Sequence, residues 1–449
     1  MKNTKFRNQL QTQIKSLMKN FCHADGLPFL QVLSLDQFTQ IIDKHITTVR
    51  NRIYTPLVCL SAFVSQVLSE DHSCNDAVAR ILAERISEGK EPCSQDNSCY
   101  CRARLGLPEE LPKELTKEIG NALEEQLKSH WKDRPCKMVD GTTVSMPDTP
   151  ENQAIYPQPD SQKPGLGFPI ARLVAVISLG TGALIDYAIG PYSGKETGEH
   201  ALLRQIFNCL SAGDIMLADR YYCSYFLIAM LQAMDVDCVF QQHASRKSDF
   251  RRGFRLGVKD HLINWKKPVC PDWMDEETYK NMPETLTVRE IKSKGKVIVT
   301  TMIDPKEASR KEISEFYTQR WIVEVDLRSI KETLQMGILR CKTPSMVRKE
   351  INVHFMAYNL IRTVMLQASF KNNIPLRQIS FKGTVQILNA FQSKIGLLDK
   401  EKLPSIFEAL LNAVAGHQVG NRPGRSEPRA VKRRPKPYPR LAVPRSQYM

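Results

Sequence analysis

Lys137-Met-Val-Asp140-Gly-Thr-Thr-Val-Ser145 is the stretch at which the chain changes character. Before Cys136 the apolar residues recur at helical spacing. Here they run together and stop at an aspartate, which reads as a strand with Asp140 where the apolar run ends. Working outward, a Pro/Gln/Gly-rich loop spans Pro147 to Pro169, and Arg172 to Leu179 is rich in β-formers. Gly180-Thr-Gly182 then makes a hairpin turn, and Ala183 to Ile189 returns as a third strand. Glu199 to Leu210 reads as helix, Asp214-Ile-Met-Leu-Ala-Asp219 as a strand ending in Asp, Ser224 to Met234 as helix and Val236 to Gln241 as strand. Hairpin-linked strands followed by helix–strand–helix–strand predict an α/β core, a mixed sheet with flanking helices.

Upstream, Phe6 to Phe21, Leu35 to Ile46 (with Asp36 near the cap), Pro56 to Val67, Asn75 to Ile86, Ser94 to Arg104 and a helix from Pro108 towards His130 predict a helical region over residues 1–132. Short helices carrying Tyr100, Arg102 and Arg104 suit either a DNA-binding domain or a plain bundle. Downstream, residues 243–305 turn irregular and then β-rich, with Leu286 to Ile291 and Lys296 to Ile303 as strands and Trp265 and Trp273 flanking a Pro-rich turn. No helix returns the chain directly, so this segment reads as an insertion between core parts 133–242 and 306–342. Residues 343–418 are helical again, and 419–449 form a basic, Pro-rich tail expected to be disordered.

The formal charge is +15. From Arg422 onward nine Lys/Arg and one Glu supply +8, leaving +7 for the rest, which points to nucleic acid or another anionic partner. The apolar runs are too short for a membrane span, and Met1-Lys-Asn-Thr-Lys-Phe-Arg is no signal peptide, so a cytoplasmic protein without membrane contact is expected. Cys74, Cys93, Cys99 and Cys101 cluster without a paired zinc spacing.

The chemistry centres on Tyr317-Thr-Gln-Arg320-Trp-Ile-Val-Glu324-Val-Asp-Leu-Arg328-Ser-Ile-Lys331, which has no Gly or Pro and reads as helix. At about 100° per residue, Arg320, Glu324 and Lys331 fall within roughly 60° of Tyr317, while Asp326 points the opposite way. The alternative is a solvated helix face laced with ion pairs. Asp140 and Asp219 end predicted core strands; brought together with Glu324 they form a carboxylate trio able to hold two Mg²⁺ (or Mn²⁺) for displacement at phosphorus. Arg320, Lys331 and Arg328 then face DNA phosphates, and Tyr317 either stacks on a sugar or base or packs in the core. Arg220, Arg246, Arg251 and Arg252 add further candidate DNA contacts. His200, His243 and Asp186 rank below these.

These motifs resemble bacterial insertion-sequence transposases of the Asp-Asp-Glu class, insertion sequence 4 group. The group's Tyr-x2-Arg-x3-Glu-x6-Lys signature is matched by Tyr317, Arg320, Glu324 and Lys331. Asp140-Gly-Thr and Asp219-Arg220-Tyr221-Tyr222 match its two Asp motifs. Tyr100-Cys-Arg-Ala-Arg104, Leu339-Arg-Cys-Lys-Thr-Pro344, Tyr358-Asn-Leu-Ile-Arg362 and Lys432-Arg-Arg-Pro-Lys-Pro437 extend the resemblance. The resemblance implies a ribonuclease H-like core, which the element order also suggests, interrupted by the β-rich insertion. Some members of the group hold a flipped base on an aromatic of that insertion, which makes Trp265 and Trp273 the candidates here; the alternative for either is a core residue of the insertion. The resemblance also implies Mg²⁺-dependent cleavage at terminal inverted repeats and joining of the freed 3′-hydroxyl to target DNA, by a homodimer on double-stranded DNA at the bacterial nucleoid. A catalytically inactive DNA-binding descendant and a metal-dependent nuclease without strand joining remain the alternatives.

Overall fold

The computed structural model describes residues 33–47, 52–127, 131–395 and 402–420, with the single residues 443 and 447. The expected helix Phe6 to Phe21 and most of the tail lie outside them. The helices are α1 Leu35–His45, α2 Pro56–Leu68, α3 Cys74–Ser87, α4 Ser98–Gly106, α5 Glu110–Gln126, α6 Pro150–Ile155, α7 Glu199–Gln205, α8 Tyr225–Ala233, α9 Glu276–Asn281, α10 Arg310–Thr318, α11 Ile322–Arg328, α12 Pro344–Asn372, α13 Phe381–Ile395 and α14 Leu403–Gly416. The strands are β1 Cys136–Ser145, β2 Ile170–Ser178, β3 Leu184–Pro191, β4 Ile215–Ala218, β5 Asp237–Gln241, β6 Phe254–Gly257, β7 Asp260–Lys266, β8 Thr285–Ser293 and β9 Lys296–Thr300.

One nine-stranded sheet in the order β3-β2-β1-β4-β5-β9-β8-β7-β6 organises the fold. β1, β4 and β5 run parallel; the other pairings are antiparallel. Alternation in β1 sorts its two faces. Cys136, Met138 and Val144 join one apolar cluster, which also holds Phe316, Val323 and Leu327 of the α10–α11 run. Val139 joins a second cluster, with Leu202 and Leu203 of α7 and Ile228 of α8. The sheet is thus covered on both sides, and each fully buried Val, Leu or Ile contributes about 1.5–3 kcal/mol.

Three expectations change. Four strands, β6 to β9, occupy the insertion where two were expected. β9 pairs with β5, so β6 to β9 extend the core sheet, and β6 and β7 had escaped notice because exposed polar residues break their apolar pattern. The helix foreseen at Ser94 begins at Ser98. The stretch from Tyr317 to Lys331 is not one regular helix. A capping box at Ser309 and Glu312 starts α10, a 3-10 turn covers Gln319–Trp321, and a π turn covers Ser329–Thr333.

Helices α1, α2 and α5 share the main core, while α3 and α4 pack on α2 in a smaller cluster. Leu111, Leu115 and Ile119 of α5 lie in the same cluster as α12, and Asn359 of α12 donates to Thr116 O and Leu184 O, both at 2.8 Å. No described helix is long and apolar enough to cross a membrane.

α12 also carries a buried histidine. His354 stacks on His72 at 6.0 Å, and its Nδ1 has no hydrogen-bond partner among the described residues. Burial, then His72, pushes it down to about 3; burial and Arg340, against Asp71, push His72 down to about 4. The unfolded chain takes up these protons from about 6.5, the folded chain only well below. Stability present above pH 6.5 is therefore lost as pH falls towards 4. Urea unfolding of His354→Leu between neutral pH and pH 4 should show a shallower loss than wild type.

Candidate active site

The parallel pairing of β1 and β4 matches Cys136 with Ile215, Lys137 with Met216 and Met138 with Leu217. Carrying that register onward sets Asp140 opposite Asp219. Alternation turns both side chains to the face covered by α10 and α11, the face that delivers Glu324. Asp140 is not at a strand end, as the sequence suggested. The apolar run stops there, but β1 continues to Ser145 because β2 stays paired with it. It is β4 that ends, so Asp219 lies just beyond its last residue. Asp140 accepts the Gly141 N–H at 2.8 Å and Asp219 accepts the Tyr221 N–H at 2.7 Å, which fixes both carboxylates locally.

Burial, with the charges of Asp219 and Glu199 and against the pull of the Gly141 N–H and Arg320, pushes Asp140 up to about 7. Arg320 stands between the carboxylates. Its Nη2 donates to Glu324 Oε1 at 2.8 Å, and its charge is felt at Asp140. Glu324 and Arg320 are half-buried, as is Lys331 one π turn further on.

A buried aspartate with a second aspartate in register beside it offers the oxygen donors that fit a hard divalent cation in kind. Among the described residues no three His, Cys, Asp or Glu side chains stand ready to share one ion. Glu324 is turned onto Arg320 and would have to leave it to complete such a set.

Tyr317 is 6 % exposed. It is a core residue that hydrogen-bonds Arg320 and does not present its ring to DNA, because its stripe faces the sheet. Trp265 is likewise in the core. Its indole N–H donates to Glu290 at 3.1 Å, Arg246 caps its ring at 3.7 Å and the side chain is 3% exposed, so the ring offers no platform to a base. Arg204 covers Trp273 in the same way at 3.9 Å. Arg220, Arg328, Arg251 and Arg252 are exposed, the last two over Asp249. Asp186 is buried against Lys117 at 2.6 Å and is structural.

Sequence reading missed Glu199. It weighed only the adjacent His200, whose Nε2 lies 2.8 Å from Tyr221 O. The neighbouring glutamate is the one that reaches the Asp pair. It approaches from the opposite face of the sheet, and its carboxyl lies so close over Gly141 that a Cβ there would be 2.3 Å from it. Tyr222, three residues after Asp219, donates its hydroxyl to Glu199 at 3.0 Å. A glycine directly after the first Asp is the signal that something must approach there.

Residues 131–360 match the family described as transposase DDE domain. The chain is 27% identical over 323 residues to the transposase InsG for insertion sequence element IS4 of Escherichia coli (strain K12), covering 69% of this chain and 70% of that protein. It is 29% identical over 109 residues to the putative transposase InsZ of the same organism, covering 24% of this chain and 36% of that one. A solved synaptic complex of piggyBac transposase with hairpin DNA matches over 92% of this chain and 87% of its own at TM-score 0.42 and 11% identity.

Proposed function

The chain belongs to the DDE-domain transposases, and from that premise we propose that it binds the terminal inverted repeats of an insertion sequence, cleaves the DNA ends and joins the 3′-hydroxyls to target DNA. The observation that carries this reading is the shared register of Asp140 and Asp219 on the face covered by the Glu324 helix. The core strands in the order β3-β2-β1-β4-β5, with helices on both faces, support a ribonuclease H-like frame for it. Residues 1–132 serve as the DNA-binding region, 243–305 as the insertion and 343–418 as a buttress. A homodimer on two DNA ends is the assembly this chemistry calls for.

Asp140, Asp219 and Glu324 would hold Mg²⁺ or Mn²⁺, which when bound supplies charge stabilisation for in-line displacement at phosphorus. The chain's own groups do the rest. Asp140 and Asp219 are kept in place by neighbouring backbone N–H groups. Arg320, propped by Tyr317, balances their charge and meets the scissile phosphate. Lys331 and Arg328 follow the strand beyond it. Exposed Arg220, Arg251 and Arg252 extend the cationic track.

Incubating the full chain with DNA bearing the element's ends, with and without Mg²⁺, tests the reading. Joined products support a transposase; cuts alone mean a nuclease; mobility shifts alone mean a DNA-binding protein. Lys331→Ala should weaken end binding and reduce the log–log salt slope by about 0.9, the value for one lost phosphate contact. An unchanged slope in a binding titration removes Lys331 from the DNA path.

A further inference from the structure

Asp326 lies two residues after Glu324, about 200° round the helix, and is 1% exposed. Arg362 Nη2 donates to its Oδ1 at 2.5 Å, and Arg377 Nη1 donates to both carboxylate oxygens at 2.9 Å. Arg377 reaches on to the end of β2, with Nε on Leu179 O and Nη2 on Ser178 O, both at 2.8 Å. Arg362 donates through Nε and Nη2 to the Tyr358 hydroxyl at 3.0 and 2.9 Å, and that hydroxyl donates to Gly182 O at 2.8 Å.

Gly182 has φ +73, and a Cβ there would sit 2.6 Å from Arg377 Nη1 and 2.7 Å from Arg362 Cζ. A glycine is thus required both by the turn and by the two guanidinium groups folded against it. The cluster joins α11, α12 and the β2–β3 turn.

Burying three charges is costly, and equal stability is commonly reached with apolar side chains. What an apolar contact does not supply is direction. α11 is a seven-residue helix bounded by a 3-10 turn and a π turn. Such a segment is poorly fixed in rotation by its own hydrogen bonds. A carboxylate held on its back by two guanidinium groups sets the angle at which its front residue points.

We propose that Asp326, Arg362 and Arg377 are positioning residues that fix the rotation of α11 and thereby aim Glu324 at Asp140 and Asp219. The proposal rests on the reading of Glu324 as a catalytic carboxylate. It gives the Tyr358-to-Arg362 motif a role through another residue, without contact with DNA.

The test uses the full-length protein with Arg377→Met, which leaves Asp326 paired with Arg362, and Asp326→Asn as a second variant. End cleavage is measured with Mg²⁺, and amide hydrogen exchange over residues 319–333 is measured without DNA or metal. If the clamp orients Glu324, kcat falls about 10- to 100-fold with KM unchanged, and exchange over 319–333 quickens while that of 344–372 does not. Arg377→Lys, which keeps the charge but cannot bridge Asp326 to both Leu179 O and Ser178 O, recovers little. Both variants cutting at the wild-type rate, or exchange over 319–333 staying at the wild-type level, overturns the proposal. Should the wild-type protein itself not cut, the assignment of a cleavage site falls, while the exchange comparison still decides whether the clamp fixes the segment.

Discussion

Asp219→Asn cuts end cleavage with Mg²⁺ by about 1,000-fold or more while leaving end binding near the wild-type level. Metal-assisted phosphoryl transfer draws several kcal/mol from charge held at the carboxylates, and about 4 kcal/mol corresponds to three decades in rate. Asn retains an Oδ1 to accept the Tyr221 N–H that Asp219 now holds at 2.7 Å, so the turn after β4 survives. What is lost is charge. The same loss relieves Asp140, which Asp219 helps to push up to about 7, so the variant melts no lower than wild type. A single-turnover assay on end DNA, paired with a thermal melt, checks both halves. Cleavage at the wild-type rate removes Asp219 from the site; a collapse of the melting temperature would instead assign it to the fold.

That the two aspartates belong together was legible because each ends an apolar run, and a strand's two-residue period is hard to disguise. Where they sit was less legible. Asp140 looked terminal because polar residues follow it, yet β1 continues wherever β2 can pair with it. Angular spacing placed Asp326 opposite Glu324, and Asp326 is indeed buried on the far side. The same spacing put Tyr317 on the working face, but a helix packed across a sheet has a boundary between buried and open that spacing does not locate. Trp265 shows the limit on aromatic residues. Its partners Glu290 and Arg246 lie 25 residues downstream and 19 upstream, and no local pattern announces them. Glu199 failed for the same reason, since its approach to Gly141 is a contact between elements 58 residues apart.

Arg289 of β8 is fully buried. Its Nε and Nη2 form a forked pair with Asp260 of β7 at 2.8 and 2.6 Å, and its Nη1 donates to Ala308 O at 2.6 Å. Ala308 immediately precedes Ser309, the cap of α10, so this one guanidinium ties the insertion to the start of the run that carries Glu324. Arg289→Met keeps the length of the side chain but strands the Asp260 carboxylate inside the protein. Breaking a buried pair in this way costs about 3–5 kcal/mol, whereas replacing both members with apolar groups is often close to neutral. Arg289→Met should therefore lower the urea midpoint sharply, and Asp260→Leu combined with Arg289→Met should restore most of the loss. The double variant separates stability from alignment. If the Ala308 contact also seats the catalytic run, cleavage stays low after stability returns. If cleavage returns with stability, the pair is only a fastener between β7 and β8. A double variant as unstable as the single one would show that the guanidinium's hold on Ala308, rather than the stranded carboxylate, sets the cost.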